Sequence, residues 1–162
     1  MSVVAICGPG GSGKTTWINQ KFPGKRVIHA VPYTRWLSHV HTPLVEILMG
    51  IERTIQSYKV KLLSERETVI MDRCFIDAEV YGKYSHCYWL TRLFNKIIFK
   101  PKVIYFLNPN DVKAKREFEQ KDFEKLSDGY WMALVSNGYR WHTVSSYKFG
   151  EVFKFTKYTS QR

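Results

Sequence analysis

The sequence lacks several features that would mark out whole classes of protein. It contains no run of about 18 apolar residues, so we expect no membrane-spanning helix. Its three cysteines, Cys7, Cys74 and Cys87, form no C-x-x-C pair, and their odd number argues against a disulfide framework. No basic leader or cleavage site precedes the apolar run at 2–7, so we expect no targeting peptide. We therefore interpret the cysteines as reduced thiols in a cytoplasmic protein.

Acidic residues are scarce relative to basic ones. The 162 residues include 25 Lys and Arg but only 14 Asp and Glu, which gives a formal net charge of +11 at pH 7. The excess is uneven, because the half from 82 to 162 has 15 basic and 7 acidic residues and so holds +8 of the total. Such a charge attracts anions, and it indicates either phosphates in general or a polynucleotide as the partner.

The remaining composition fits a single domain over residues 1–162, because 44% of the residues are hydrophobic and no linker or repeat interrupts them. Apolar runs that predict strands lie at about 2–7, 26–31, 68–72, 102–107 and 151–156. Helical patterns lie between them, from residue 14 and at about 75–84, 85–99 and 111–137. This alternation predicts an α/β fold with a parallel sheet, whose ligands bind beyond the carboxyl ends of its strands.

One further helix is predicted between about 43 and 64 from its periodicity alone. The apolar residues of this segment recur at spacings of three and four, which is the pattern of an amphipathic helix of roughly six turns. They are Leu44, Ile47, Leu48, Ile51, Ile55, Tyr58 and Leu62.

Residues 8–15 match the phosphate-binding motif G-x-x-x-x-G-K-[ST] in full, between a strand and a helix as that motif requires. Glycines allow backbone N–H groups to turn inward around an anion, and the helix that follows adds the positive end of its dipole. Lys14 can reach the β- and γ-phosphates of a nucleotide, and the Thr15 hydroxyl can bind magnesium. The motif predicts ATP or GTP with Mg²⁺ as the cofactor, bound by Gly8, Gly10, Gly11, Ser12, Gly13, Lys14, Thr15 and Thr16.

A carboxylate ends the third predicted strand, where Asp72 is followed by Arg73. At this position P-loop enzymes hold an acid that binds magnesium directly or through water. Together with Tyr81, the pair resembles the pattern D-R-Y-x-x-S-x-x-A-Y-Q of the thymidylate kinases, within the thymidylate and deoxynucleoside kinase group. The resemblance implies that Arg73 holds the acceptor phosphate and that Tyr81 lines the acceptor pocket, in which we also place Asp77.

The fourth predicted strand extends this resemblance. Residues 101–116 are similar to the segment that leads into the lid of these kinases, which implies that Arg116 closes over the transferring phosphate. The family has a P-loop kinase-type three-layer sandwich with a parallel, about five-stranded sheet and a short helical lid, which we place at about 111–137. The resemblance covers about 3–20 and 66–135. Acidic residues follow Arg116 where the family's lids usually present more arginines.

The segment expected to bind the acceptor differs from that of the deoxynucleoside kinases. Those enzymes place a carboxylate just after the second strand as the general base for a hydroxyl. No acidic residue occurs between 26 and 45, and Arg35 and Trp36 occupy that segment. A hydroxyl acceptor needs a base, whereas a phosphate acceptor is already anionic. We therefore predict a nucleoside monophosphate (thymidylate-like) kinase that binds its acceptor through Arg35, Trp36 and Arg73, unless Asp72 or Asp77 serves as the base.

The alternative is a kinase that phosphorylates a hydroxyl on DNA or RNA, either at a polynucleotide end or on a modified base. No acid occurs from 80 to 110, and Arg92, Lys96 and Lys100 lie at i, i+4 and i+8 of a predicted helix. Such a row can follow a nucleic-acid backbone, although a solvated helix face is the commoner interpretation. The start of the chain also resembles polynucleotide kinases, but these keep an aspartate after the second strand that is absent here. A nucleotide-dependent nucleic-acid-binding switch is a third interpretation.

Overall fold

The computed structural model of the chain describes residues 2–29, 42–83, 87–109, 117–138, 141–149 and 152–159. These residues form helices and strands in alternation over most of the chain. In chain order they are β1 (Val3–Cys7), α1 (Lys14–Lys21), β2 (Arg26–His29), α2 (Pro43–Ser64), β3 (Val69–Asp72), α3 (Phe75–Gly82), α4 (Tyr88–Ile97), β4 (Val103–Pro109), α5 (Glu117–Ser136), β5 (Trp141–Phe149) and β6 (Val152–Thr159).

The strands form one sheet in the order β2-β3-β1-β4-β5-β6. The first five are parallel to their neighbours, whereas β6 runs antiparallel to β5. The predicted parallel sheet of about five strands is therefore confirmed, but its fifth strand is β5, which the sequence pattern did not predict. The segment predicted as the last strand belongs to the antiparallel β6. Polar residues interrupt β5, and Ser145 is buried within it, so no continuous apolar run marked this strand.

Helices cover both faces of this sheet, which gives the predicted three layers. Successive residues of a strand point to opposite faces, so β1 contributes to two cores. Val4 and Ile6 pack with Trp17 and Ile18 of α1 on one face. The other residues of β1 belong to the second core, which also contains side chains of α2, α3 and α5.

The structure also bears on the cysteines and on the membrane. Cys7, Cys74 and Cys87 are all buried and none forms a disulfide, in agreement with their interpretation as thiols. Over the described ranges, none of the helices combines the length and the hydrophobicity that crossing a membrane requires.

Local signals explain where two of the helices begin. α2 starts at a proline, which suits the first helical position because its missing N–H would have no partner there. The preceding Thr42 accepts a hydrogen bond at its hydroxyl from the backbone N–H of Val45 (3.4 Å). α3 starts after Cys74, whose backbone N–H donates to the Asp77 carboxylate (2.9 Å). Both contacts supply partners for backbone groups that a helix end leaves unpaired.

The apolar residues that predicted α2 do not face the core. All seven are exposed, and Leu44, Ile55 and Leu62 are 66%, 62% and 63% exposed respectively. The side of α2 that packs against the rest of the protein contains Val45, Glu46, Met49, Gly50, Ser57 and Val60, together with the partly buried Leu63. The helix is present as predicted, and its apolar row faces outward. We call its seven exposed apolar residues, Leu44 to Leu62 as named above, the α2 stripe.

The basic row predicted on the next long helix is only partly present. α4 ends at Ile97, and Ile98 is already extended, so Lys100 lies beyond the helix. The proline at 101 disfavours helical backbone at Lys100. The Lys100 ammonium lies 5.3 Å from the centre of the Phe75 ring. Arg92 and Lys96 are exposed on α4, but the prediction of a three-residue helical row was wrong at its third member.

The segment predicted as a lid is largely helical, and part of it belongs to the core. α5 occupies 117–136, and residues 110–116, including Arg116, lie outside the described residues. Tyr130, Ala133 and Leu134 of α5 are buried, and the helix packs against α3. The lid function of this segment stays a prediction, and its C-terminal half is fixed to the scaffold.

Gly50 lets α2 and α4 approach each other closely. A Cβ added there would lie 2.2 Å from the Phe94 ring, far inside normal contact. We expect Gly50→Ala to lower the free energy of unfolding by about 1–3 kcal/mol, because overpacking outweighs the gain in helix propensity. Urea unfolding followed by circular dichroism measures this. Gly129→Ala in α5 is the matched control, since its Cβ meets only Val80 at 3.3 Å; equal stabilities for the two variants would contradict the expectation.

Candidate active site

The glycine loop lies between β1 and α1, in the strand–loop–helix context that its motif predicted. Gly8 has φ of 144°, and Gly13, which precedes α1, has φ of 79°. Both values fall in the region that only glycine adopts readily. A Cβ at Gly8 would also lie 2.6 Å from the carbonyl oxygen of Leu107, in the neighbouring strand β4. The turn that presents the loop's backbone therefore requires glycine at these positions.

Lys14 is buried and its side chain folds back over the loop. Its ammonium donates to the carbonyl oxygens of Gly8 (2.8 Å) and Pro9 (2.7 Å) and lies 3.4 Å from the Ser12 hydroxyl. Burial lowers the pKa of Lys14 to about 8, against an opposing effect of the Asp77 carboxylate. The charge is therefore poorly solvated, and an anion bound at the loop would supply the partner that water does not.

Asp72 is the last residue of β3 and lies opposite Ile6 of β1. It is buried at the carboxyl end of the parallel strands, where the glycine loop follows β1. Its Oδ2 accepts a hydrogen bond from Nδ1 of His29 (2.8 Å), the last residue of β2. Its Oδ1 is buried and has no hydrogen-bond partner in the part of the chain that the structure describes. A buried carboxylate oxygen without a donor is a good ligand for a cation.

The residues at this edge fit a magnesium ion. Mg²⁺ prefers oxygen ligands and usually binds one or two carboxylates together with phosphates and water. Asp72 Oδ1 supplies a carboxylate oxygen, and the exposed Thr15 supplies a hydroxyl on the first turn of α1. Within the described ranges, no three His, Cys, Asp or Glu side chains cluster as a metal site. These two oxygen donors would leave further positions of a magnesium ion to phosphate oxygens and water.

Arg73 is held by its backbone as well as by its side chain. It is the one non-glycine residue with positive φ (74°) among the described residues, and its N–H donates to the carbonyl of Ile6 (2.8 Å). Its guanidinium lies 3.7 Å from the Asp77 carboxylate and 5.7 Å from the centre of the Tyr81 ring. Burial acts to lower the pKa of Arg73, but Asp77 and neighbouring tyrosines raise it above its usual value. The residue is therefore a fixed, permanent cation.

Asp77 is buried beneath this arginine. One carboxylate oxygen accepts from the backbone N–H of Cys74, and the other accepts from the hydroxyl of Tyr130 (2.6 Å). Burial raises the pKa of Asp77, while Arg73 and Lys14 oppose the rise. With both oxygens engaged inside the protein, Asp77 is placed to position Arg73 rather than to touch an acceptor directly.

The structure brings five of the predicted site residues together at one edge of the sheet: Lys14, Asp72, Arg73, Asp77 and Tyr81. The charges of Asp77, Arg73 and Asp72 all act on the pKa of Lys14, which places these three residues within electrostatic reach of Lys14. Thr16 follows on α1 and is half-buried. Three further predicted residues, Arg35, Trp36 and Arg116, lie outside the described residues.

Two residues of the site were missed in the sequence. His29 contacts Asp72 because β2 lies next to β3 with these two residues in register. Tyr130 reaches Asp77 from α5, 53 positions further along the chain. These two contacts follow from the strand order and from the packing of α5 on α3. The spacing of residues along the sequence predicts neither of them.

The glycine loop, the acid and arginine at the end of β3 and the five parallel strands define the fold of the P-loop nucleotide and nucleoside kinases. The structure is similar to that of thymidylate kinase from Candida albicans, with a TM-score of 0.58 and 17% identity over 91% of this chain and 85% of that one. It is also similar to deoxyadenosine kinase from M. mycoides with bound dATP, with a TM-score of 0.55 and 18% identity over 89% and 90% of the two chains. The sequence matches no protein-family model and no curated protein. These likenesses confirm the predicted fold.

Proposed function

We propose that this protein is a magnesium-dependent phosphotransferase that transfers the γ-phosphate of ATP or GTP to a nucleoside monophosphate. The observation that supports it best is the presence of two cations near each other, the buried Lys14 on the glycine loop and the half-buried Arg73 after β3. Two positive charges at one sheet edge suit two phosphate groups that must approach each other. Similarity to a thymidylate kinase is in keeping with this proposal.

The phosphate donor, ATP or GTP, binds at the glycine loop. Its backbone N–H groups and Lys14 bind the phosphates, and the desolvated ammonium gains most as charge develops in the transition state. Thr15 and Asp72 would hold the magnesium ion, which when bound neutralises charge on the transferring phosphoryl group. His29 forms a hydrogen bond with Oδ2 of Asp72, so Oδ1 of Asp72 would be the oxygen that binds the cation.

The phosphate of the acceptor binds to Arg73. Its guanidinium can bind a phosphate through two parallel hydrogen bonds, and Asp77 and Tyr81 keep it in place. A phosphate acceptor needs no general base, which fits a segment after β2 without acidic residues. Arg35, Trp36 and Arg116 complete the proposal as a second acceptor contact, a base-stacking surface and a lid residue.

A second candidate is the transfer of phosphate to a hydroxyl on DNA or RNA. The observation in its favour is the exposure of Arg92 and Lys96 on α4, in a protein with a net charge of +11. Exposed cations one turn apart can contact successive phosphates of a polynucleotide. The similarity to two nucleotide or nucleoside kinases favours the small acceptor.

One assay separates these candidates. ATP labelled at the γ-phosphate is incubated with magnesium, the protein and a panel of nucleosides, nucleoside monophosphates, oligonucleotides and DNA with modified bases. We expect label in a nucleoside diphosphate and none in that fraction with Lys14→Ala. Label on oligonucleotides or modified DNA alone would support the second candidate. Label in no acceptor, with the protein folded, would overturn both.

Arg73→Lys tests the acceptor contact. Lysine cannot form two parallel hydrogen bonds to a phosphate, so the loss of one charge-assisted bond should raise the acceptor KM about tenfold or more and lower kcat. Steady-state kinetics with varied acceptor and saturating ATP measure this. Arg92→Lys is the matched control and should change neither constant. Unchanged acceptor kinetics in Arg73→Lys would show that this arginine does not bind the acceptor phosphate.

A further inference from the structure

One hydrogen bond of the site involves neither the glycine loop nor Arg73. His29 ends β2 and Asp72 ends β3, and the two residues are in register across this pair of strands. Nδ1 of His29 lies 2.8 Å from Oδ2 of Asp72. The side chain of His29 is 63% exposed, whereas that of Asp72 is only 10% exposed. An exposed side chain on the outermost strand therefore contacts a buried carboxylate on the next strand.

This hydrogen bond fixes the orientation of the Asp72 carboxylate. An ionised carboxylate only accepts hydrogen bonds, so Nδ1 of His29 carries the hydrogen and donates it. The terminal torsion of an aspartate is broad and has no sharply preferred angle of its own. Without a donor on Oδ2, the carboxylate could turn about its bond to Cβ, and neither oxygen would be held in place for a cation.

Asp77, the second acid at this edge of the sheet, cannot replace Asp72 as a metal ligand. Both of its oxygens accept hydrogen bonds inside the protein, one from the Cys74 N–H and one from the Tyr130 hydroxyl. Oδ1 of Asp72, in contrast, is buried and has no hydrogen-bond partner among the residues that the structure describes. Of these two acids, Asp72 is the one with an oxygen left for a cation, so cation binding depends on how Asp72 is held.

A group that hydrogen-bonds to a metal ligand orients that ligand, and its loss typically weakens metal binding or activity about 10–100-fold. We propose that His29 is a positioning residue of the magnesium site, which holds Asp72 through Oδ2 so that Oδ1 binds the Mg²⁺ of the nucleotide. This inference rests on the proposed function, but only on the binding of a magnesium–nucleotide complex at the glycine loop. It does not depend on which acceptor takes the phosphate.

Stabilisation of the fold explains the contact less well. An ion pair with an exposed member adds little to stability, because water competes for the exposed group. Water could also satisfy Oδ2 if the ring were removed, but it would not fix the direction of the carboxylate. The start of β2 provides a contrast, because Arg26 lies 3.2 Å from Glu67 and these side chains are 52% and 44% exposed. Arg26 pairs with another exposed group, whereas His29 donates to a buried one.

Nucleotide binding with and without magnesium tests the proposal, and it needs no phosphate transfer. Isothermal titration calorimetry gives the Kd of the non-hydrolysable β,γ-imido analogues of ATP and GTP, first with excess Mg²⁺ and then with EDTA. We expect Mg²⁺ to tighten binding to the wild type. His29→Ala should raise the Kd measured with Mg²⁺ about tenfold or more and leave the Kd measured with EDTA unchanged, since the glycine loop is intact.

Three further variants sharpen this test. His29→Asn should restore most of the affinity with Mg²⁺, because its amide N–H lies close to the place of Nδ1 and can donate to Oδ2. His29→Leu removes the donor but keeps bulk on β2, so it keeps the test decisive if His29→Ala does not fold. Arg26→Ala is the matched control on the same strand, and it should leave both Kd values unchanged.

Three outcomes would overturn the proposal. The first is a wild type whose Kd is the same with and without Mg²⁺. The second is wild-type binding by His29→Ala and His29→Leu under both conditions. The third is an equal loss of affinity under both conditions, which a merely structural role of His29 would produce. Failure of the proposed reaction is a separate result, because it removes the label from the acceptor in the transfer assay and leaves magnesium-dependent binding in place.

Discussion

Lys14→Ala is expected to lower the rate of phosphoryl transfer by about 10²–10³-fold while the protein stays folded. The ammonium donates to two carbonyl oxygens of the glycine loop, and in the proposed reaction its charge would favour the transition state more than the bound substrate. Burial already lowers the pKa of Lys14 to about 8, so the buried charge is unfavourable and its removal should not unfold the protein. Single-turnover transfer from labelled ATP measures the rate, and thermal unfolding checks the fold.

Lys21→Ala provides the control. Lys21 lies on the last turn of the same helix, α1, and is exposed, so the net charge changes equally without a change at the loop. Its rate should stay within a factor of about two of wild type, as for most surface substitutions. Near-wild-type transfer by Lys14→Ala would mean that the glycine loop does not bind the phosphate donor.

Asp77→Ala is expected to be the most destabilising change at the site. It leaves the Tyr130 hydroxyl and the Cys74 N–H without their acceptor and removes the partner of the half-buried Arg73. Breaking a buried ion pair on one side typically costs about 3–5 kcal/mol. We expect a loss of unfolding free energy of this size in urea titrations. Asp77→Asn should lose less unfolding free energy. Asparagine keeps the shape of the side chain and one acceptor oxygen, and it removes the buried negative charge.

Glu79→Ala is the matched control, on the same helix and with the same charge. The Glu79 carboxylate is half-buried and accepts from Asn137 (3.0 Å) and Tyr88 (3.5 Å), so its removal should cost about 1 kcal/mol. Similar losses for Asp77→Ala and Glu79→Ala would mean that the contacts of Asp77 do not support the fold as described.

The sequence predicts those parts of the site whose functional groups all come from one short segment. The glycine loop needs its glycines, its lysine and a following helix within eight residues, and the structure has all three. Asp72 was predicted because it ends a buried strand, and Arg73 follows it directly in the pattern that resembles the thymidylate kinases. Local sequence determines both features, since the backbone of a few residues places the groups.

The residues that sequence reasoning missed depend on contacts between distant segments. His29 reaches Asp72 only because β2 pairs with β3. β5 was missed because it has no continuous apolar run, although it lies inside the sheet between β4 and β6. Periodicity predicted that α2 is a helix, but it could not tell which side the fold buries, because an apolar row can pack in the core or against a second molecule.

The attachment of α5 determines how the predicted lid can move. The hydroxyl of Ser127 donates to the Asn108 side chain at the end of β4 (2.8 Å), and Tyr130 donates to Asp77. A rigid displacement of the whole helix would pull Tyr130 away and release the arginine that Asp77 holds. A closure of the predicted lid that keeps these two contacts would therefore have to pivot before Ser127. From Glu117 to Ser127 the helix is about 15 Å long, and this is the length of α5 that could swing while both contacts are kept.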